Sequence, residues 1–290
     1  MAKTVIKVKA PVRLDFAGGT TDISPFTHKY GGAVLNSAIN RYVTGSIVKT
    51  DKSVHLEYTG NTPTSSGLGT SGVMNLVWLA LISQIKLNTK GGVVYRDKIE
   101  LAEKVYALEQ AMGIVGGKQD QYAAALGGIN FLEFKGDKVN IHQLNLPKKI
   151  INELENNLVL VYTGKPHFAG NSNKKSMDNL KKGKNVQHLI KIRDIAIEMK
   201  NSLLKGDLTN FSDLMNSETK QRKMLHKNML PLKVKTILDQ GFKNGAISAK
   251  LCGSGNGGSV LFYGNQKKLY GFFKEKVMPF KFDFEGLRFV

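Results

Sequence analysis

Asp120, Glu109 and the hydroxyls of Thr70 and Ser71 are the side chains of this 290-residue chain whose types and settings suit chemistry on phosphate. Phosphoryl transfer to an alcohol needs a cradle for the phosphates, a metal, a positive charge and often a carboxylate beside the attacking hydroxyl. Asp120, in Gly116-Gly117-Lys118-Gln119-Asp120-Gln121-Tyr122, falls at the start of a short helix, where the dipole favours its ionised, proton-accepting form. Read alone, a capping aspartate explains the same position. Glu109 stands eleven residues earlier on the preceding helix, beside an apolar stripe, and is either a metal ligand or a solvated helix residue. Lys118 adds charge near Asp120 or is a surface lysine.

Three glycine-rich segments must position these groups. They run from Pro11 to Asp22, from Pro63 to Ser71 and from Lys250 to Gly258. In the second, Gly67 and Gly69 lack a Cβ, so the backbone there can approach an anion and take positive φ without strain. The apolar run Val73-Met74-Asn75-Leu76-Val77-Trp78-Leu79-Ala80-Leu81-Ile82 follows and reads as a buried helix. Thr70 and Ser71 then sit at its N-terminus, where free amides and the macrodipole attract phosphate and hydroxyls suit a phosphate-bound magnesium. A Ser/Thr cap on an ordinary core helix is the plainer reading. No segment is a Walker A loop, because no Gly-Lys pair has a glycine five positions before its own glycine. The third matches G-x-G-x-x-G at Gly253, Gly255 and Gly258, but Ser259-Val260-Leu261-Phe262-Tyr263 after it reads as a strand rather than the helix of a dinucleotide fold. A protein-kinase glycine loop fails too, since barely thirty residues follow.

Around these loops the pattern alternates strands and helices. Residues 4–10 and Gly31 through Val48 read as strands, and Val54-His55-Leu56-Glu57-Tyr58 as a short one. A helix is expected from Asp97 to Met112, with Leu101, Val105, Leu108 and Met112 as its stripe and Gly113 as its stop. Gln119 to Leu126 is a short helix closed by Gly127-Gly128, and Ile129 to Phe134 is extended. The polar, lysine-rich stretch 135–157 marks a domain boundary, before the strand Leu158-Val159-Leu160-Val161-Tyr162. Helices are expected at about 186–205, 208–222 and 231–241, and a half-buried strand at Pro279-Phe280-Lys281-Phe282-Asp283-Phe284. The fold class is α+β, in two lobes.

Composition narrows the function. Apolar content of 41% and charged content of 22% are those of a globular protein. The alternating N-terminus is not a signal peptide, no apolar run is long enough to span a bilayer, and Cys252 alone cannot form an intrachain disulfide. A cytoplasmic protein is expected, with Cys252 as packing. The net charge of +19 is spread lysine without an arginine-rich run or an aromatic RNA-binding signature, which suits steering of anionic small molecules rather than nucleic-acid binding.

The order of the three segments resembles the GHMP small-molecule kinases, over nearly the whole chain. Ala10-Pro11-Val12-Arg13-Leu14-Asp15-Phe16-Ala17-Gly18-Gly19-Thr20-Thr21-Asp22, Gly117-Lys118-Gln119-Asp120-Gln121-Tyr122-Ala123-Ala124-Ala125 and Tyr162-Thr163-Gly164 are similar to its sugar kinases, those of heptose 7-phosphate in particular. The resemblance implies an N-terminal domain over 1–150 like the second domain of ribosomal protein S5, and a ferredoxin-like domain over 151–290, with the site between. It implies ATP- and magnesium-dependent transfer to a hydroxyl of a sugar or sugar phosphate, the anomeric hydroxyl of heptose 7-phosphate first. By the same match Ser65, Ser66, Gly67, Leu68, Gly69, Thr70 and Ser71 cradle ATP, and Gly255 closes over it. Arg13, Gly18, Gly19, Thr20, Thr21, Asp22, Gly117 and Asp120 hold the acceptor. Asp120 is then the catalytic carboxylate, Arg13 the cation beside the transferred phosphoryl, and Ser71 and Glu109 the magnesium ligands. Asp22 bonds sugar hydroxyls, an Asx turn before Ser24-Pro25 being its other reading. The expected partners are that small molecule and, in a homodimer, a second copy of the chain, without nucleic acid or membrane. Galactose-, fucose- or mevalonate-type kinases and a non-catalytic sugar- or nucleotide-binding regulator are the alternatives. Retention of Arg13, Ser71, Glu109 and Asp120 together argues against the regulator. Two departures stand out: about fifteen residues separate Ile47 from Pro63 where these sugar kinases carry a longer insert, and Gly72 occupies the first helical turn, at a cost of up to about 1 kcal/mol relative to alanine.

Overall fold

The computed structural model describes residues 4–50, 53–63, 65–83, 93–164 and 169–290. Residues 1–3, ahead of the expected N-terminal strand, and Thr64 of the second glycine segment lie outside them. The chain is α+β and two-domain, built on two antiparallel sheets. In the first, β1 (Thr4–Ala17) pairs with β2 (Gly32–Lys49) from Thr4↔Lys49 to Ala17↔Leu35. The eighteen residues of β2 serve two further partners on its other edge: β3 (Val54–Gly60) along Val43–Lys49 and β4 (Ile129–Lys135) along Gly32–Ser37. Outside β4 lies β5 (Lys138–Gln143). The second sheet has the order β6-β8-β7, from β6 (Leu158–Tyr162), β7 (Ala246–Leu251) and β8 (Ser259–Gly264). The last strand, β9 (Arg288–Phe289), returns to the first sheet and pairs with β1 at Val8↔Phe289.

Ten helices are described: α1 (Phe26–Tyr30), α2 (Thr70–Ile82), α3 (Tyr95–Ala111), α4 (Gln119–Leu126), α5 (Lys148–Asn157), α6 (Ala169–Lys181), α7 (Val186–Lys205), α8 (Leu208–Arg222), α9 (Leu232–Lys243) and α10 (Gln266–Phe273). Helices α2 and α4 pack on β1 and β2, and α3 packs on both helices. Helix α7 packs on β2, and Gly206 in the left-handed region turns the chain into α8, whose cap Asp207 accepts from the Asn210 amide. Helix α8 joins the two sheets. Its Phe211 meets Phe16 of β1 edge-on at 5.5 Å and Tyr263 of β8 at 6.2 Å, while Ser212 donates to Ser248 of β7.

Several expectations are corrected. β1 continues to Ala17, so Pro11–Ala17 is strand rather than loop; the register shifts between Pro11 and Val12, which accommodates a residue without an N–H to donate. The stretch 135–157 holds β5 and α5, each with one apolar face on the core (Val139 and Ile141; Ile150, Ile151 and Leu154) beneath a lysine-rich exterior. Residues 279–284 are no strand: Asn40 and Ala38 hold them by two backbone bonds, and the Phe282 amide donates to Glu155 instead of a ladder partner. Helices α6 and α10 were not expected.

Candidate active site

The second and third glycine segments lock together backbone to backbone. A Cβ on Gly67 would lie 2.7 Å from the Cys252 carbonyl oxygen, one on Gly253 would lie 2.7 Å from the Gly67 oxygen, and one on Gly258 would lie 2.6 Å from the Ser66 oxygen. Ser259 Oγ donates to that same Ser66 oxygen at 2.8 Å. β1 carries the loop from the other side, through Arg13 N to the Leu68 oxygen and Arg13 Nη1 to the Gly67 oxygen at 2.6 Å. Gly69, left-handed at φ 77, starts α2, and the first amides of that helix have no partner within it. The α2 N-terminus thus opens onto a cavity of about 540 Å³ lined by Ser65, Ser66, Gly67, Gly69, Thr70, Ser71 and Gly72 on this side.

Asp120, in the first turn of α4, faces this helix start. A Cβ on Gly69 would lie 2.9 Å from Asp120 Cγ and one on Gly72 3.3 Å from its Cβ, so the glycine in the first turn of α2 gives the aspartate room. Arg13 Nε and Nη2 both reach Asp120 Oδ1 at 2.7 Å, and among the described residues nothing donates to Oδ2. Arg13 is buried; Asp120 keeps 28% of its side chain exposed. Asp22 approaches from β1's end. Its Oδ2 accepts from the Gln119 amide at 3.1 Å, across ninety-seven residues, which replaces the Asx-turn reading. Gly117 makes this possible, since a Cβ there would lie 2.0 Å from Asp22 Oδ2. Burial pushes the Asp22 carboxyl up to about 6, against the Gln119 amide and reinforced by the Asp120 charge.

Glu109 is buried, not solvated. The inward stripe of α3 is Lys98, Leu101, Ala102, Val105 and Glu109, one position round from the expected one, and Leu108 and Met112 face solvent. The Glu109 carboxylate accepts from Asn75 at 2.9 Å and Gln121 at 2.6 Å, and burial pushes it up to about 7, with Asp120 adding to the rise. Glu109, Thr70 and Ser71 line the same cavity. Among the described residues no three His, Cys, Asp or Glu converge on a metal-sized space. One carboxylate with hydroxyls nevertheless suits magnesium, which commonly takes its remaining ligands from phosphates and water. Among the described residues, five buried atoms on the cavity wall have no partner: Asp22 Oδ1, Ser66 Oγ, Thr70 Oγ1, Gln119 Oε1 and Gln121 Oε1. Native interiors rarely leave such atoms unpaired, so the wall fits a polar ligand.

Of the expected site residues, Arg13, Thr20, Asp22, Gly117 and Asp120 meet the phosphate loop and Glu109 around one cavity. Gly18, Gly19, Thr21, Leu68 and Gly255 do not line it. Gly18 packs on the Ala33 carbonyl and Gly19 on Asp15, the Thr21 hydroxyl bonds Gly18 and Ala33, Leu68 joins the core, and Gly255 sits against Met229. Lys118 is buried and turned away, its Nζ held by Glu103 at 2.8 Å. Cys252 is buried, with its thiol pushed up to about 12 by burial, as packing requires. Sequence reasoning missed Asn171 and Asn173 of α6, which line the cavity, and the buried charges Asp15, Glu218, Arg222 and Lys250 behind it. Lys250 inside an apolar strand and the i,i+4 pair Glu218–Arg222 were the available signals.

This architecture is that of the small-molecule kinases. Residues 33–128, from the start of β2 past the end of α4, match the GHMP kinases N terminal domain, and the chain is a kinase. It is 28% identical to D-glycero-alpha-D-manno-heptose 7-phosphate kinase of Campylobacter jejuni over 98% of both chains. Its fold is that of a D-glycero-D-manno-heptose 1-phosphate kinase from Bacteroides thetaiotaomicron (TM-score 0.73, 24% identity, 98% of each chain). Lactococcus lactis galactokinase in complex with galactose shares it too (TM-score 0.68, 16% identity, 99% of this chain and 95% of that one).

Proposed function

We propose that this protein transfers the γ-phosphoryl group of ATP to a hydroxyl of a sugar phosphate in the cytoplasm, with a heptose 7-phosphate as acceptor and its anomeric hydroxyl as the attacking group. The observation that carries the reading is the convergence of Asp120, paired to Arg13, with the buried Asp22 and the α2 N-terminus in one cavity. The 28% likeness to a heptose 7-phosphate kinase along the full chain supports this acceptor.

The phosphates of ATP lie on the amides of loop 65–72, with the Ser66 and Thr70 hydroxyls as further donors. Glu109 and Ser71 would hold magnesium, which supplies charge neutralisation at the β- and γ-phosphates when bound. Asp22 accepts hydrogen bonds from two neighbouring sugar hydroxyls and fixes the acceptor. Asp120 takes the proton of the attacking hydroxyl as the new O–P bond forms and the bond from γ-phosphorus to ADP breaks. Arg13 keeps Asp120 Oδ1 in place and sets its positive charge beside the transferred group.

The test is ADP release measured over a panel of heptose 7-phosphate, heptose 1-phosphate, heptose, galactose, fucose and mevalonate. Preference for heptose 7-phosphate is expected. Turnover confined to a non-sugar, or to none of the panel with ATP bound, would refute the reading.

A further inference from the structure

Behind the cavity, four charged side chains share a space that solvent does not reach: Asp15 of β1, Glu218 and Arg222 of α8, and Lys250 of β7. Lys250 Nζ lies 3.2 Å from Asp15 Oδ2 and 3.5 Å from Glu218 Oε1, and Arg222 Nε donates to Glu218 Oε1 at 2.8 Å. None of the four lines the cavity. Two negative and two positive charges balance. Burial acts to raise the Asp15 carboxyl, but Lys250, Arg222 and Arg13 hold it below the usual carboxylate range.

Charge balance explains how the group is tolerated but not where Arg222 points. Its Nη2 donates to the Gly19 oxygen at 2.9 Å, and its Nη1 to the Gly253 oxygen at 3.2 Å and to Thr20 Oγ1 at 3.4 Å. With two bonds to Glu218, all five guanidinium N–H groups are used. Gly19 and Thr20 form the turn that leads to Asp22, and Gly253 is the first glycine of the third segment. Thr20 stands at φ 80, a conformation that β-branched residues avoid and that persists only where the surroundings enforce it. The Gly19 carbonyl just before it and its own hydroxyl are the groups that Arg222 holds. Gly253 has other anchors, since its neighbour Cys252 donates to Ser259 and its own backbone sits on Gly67. The turn is also held by the Thr21 bonds to Gly18 and Ala33, but among the described residues Arg222 alone bonds the Gly19 carbonyl and the Thr20 hydroxyl, so its loss falls on the strained Gly19–Thr20 pair.

We infer that Arg222 is a positioning residue for the acceptor: from the second half of the chain it enforces the strained Gly19–Thr20 turn, and through it the place of Asp22 against the third glycine segment. The kinetic part of this inference rests on the kinase reading above; the structural part does not.

Arg222→Lys tests it. Lysine keeps the charge opposite Glu218 but offers three donors at one point, so it cannot serve Glu218, Gly19 and Gly253 together. Amide hydrogen exchange at residues 19–22 should accelerate at least about tenfold, while residues 66–71 stay within about threefold. Acceptor kcat/KM should fall at least about tenfold, with the KM for ATP within about threefold of wild type. Glu218→Gln is the control: it unbalances the same buried charges but leaves the bonds from Arg222 to Gly19, Thr20 and Gly253. It should lose stability without either change. Wild-type exchange at 19–22 in Arg222→Lys would overturn the inference, as would the same exchange and kinetic losses in Glu218→Gln. Should Arg222→Lys not fold, Glu218→Leu with Arg222→Met replaces the pair by apolar side chains, a change buried pairs often tolerate, and is read by the same two criteria. If the wild type phosphorylates no acceptor, the kinase reading falls and hydrogen exchange alone decides the role of Arg222.

Discussion

Asp120 and Asp22 belong to one cavity, and their surroundings suit them to different work. Asp120 is part-exposed and fixed through one oxygen by Arg13, which leaves the other to accept a proton. Asp120→Asn should therefore lower kcat by at least about two orders of magnitude while ATP binding holds, and near-normal turnover would remove Asp120 from the chemistry. Asp22 is buried, with one oxygen unpartnered among the described residues and its carboxyl pushed up to about 6 by burial. A carboxyl raised in the folded state binds more protons there than in the unfolded chain. The protein therefore loses stability as pH rises from about 4 through about 6, and the loss is complete above that window. Two units correspond to about 3 kcal/mol. Asp22→Asn keeps an oxygen for the Gln119 amide and removes the charge. It should raise the urea midpoint at pH 8, leave it nearly unchanged at pH 4, and cut acceptor kcat/KM by about ten- to a hundredfold. A variant no more stable than wild type at pH 8 would show that the carboxyl is not held up by burial.

At the scale of elements, the site depends on how closely α4 and its leading loop approach α2 and β1. Gly69 and Gly72 clear space for Asp120, and Gly117 for Asp22. Gly117→Ala would drive a methyl into the Asp22 carboxylate, so the acceptor KM should rise at least about tenfold while ATP affinity stays near wild type. An unchanged acceptor KM would mean that Asp22 moves aside without consequence. Helix α4 was legible to the residue because its apolar run is bounded by Gly117 and Gly127, and β2 and α7 because their periods are long. β5 and α5 were not, since each buries only one thin apolar face beneath lysines, and at α6 polar residues mask the cavity-lining turn. The same limit applied to the site. Arg13, Asp22, Glu109 and Asp120 were legible through motif resemblance, yet Glu109 alone read as solvated, because a one-residue rotation of the α3 stripe is invisible without its packing partner. Gly255, which the resemblance sets over ATP, does not line the cavity, because a motif match does not tell which glycines meet a ligand and which meet Met229.

On the whole-molecule scale, α8 spans both sheets and carries Arg222 to the first glycine turn, so the two halves are coupled through side chains as well as through the cavity between their loops. The net charge of +19 surrounds this arrangement, and both proposed substrates are anions. Like-signed charge spread over the surface raises the encounter rate of anions without any single lysine being a ligand, and that attraction is screened beyond about 10 Å at 0.1 M salt. ATP feels the field with every acceptor, so its share cancels when two acceptors are compared at saturating ATP. The acceptor's own phosphate does not cancel. Activity on heptose 7-phosphate, as kcat/KM, should therefore fall several-fold more steeply than activity on unphosphorylated heptose as salt rises from about 0.05 to 0.5 M. Initial rates on the two acceptors along one salt series make the measurement, with ionic strength set by a salt that binds neither magnesium nor phosphate. Matching slopes and equal kcat/KM on both sugars would mean that the acceptor's phosphate meets neither the field nor a contact, and the acceptor would then be a neutral sugar turned over by the same Asp120–Arg13 pair.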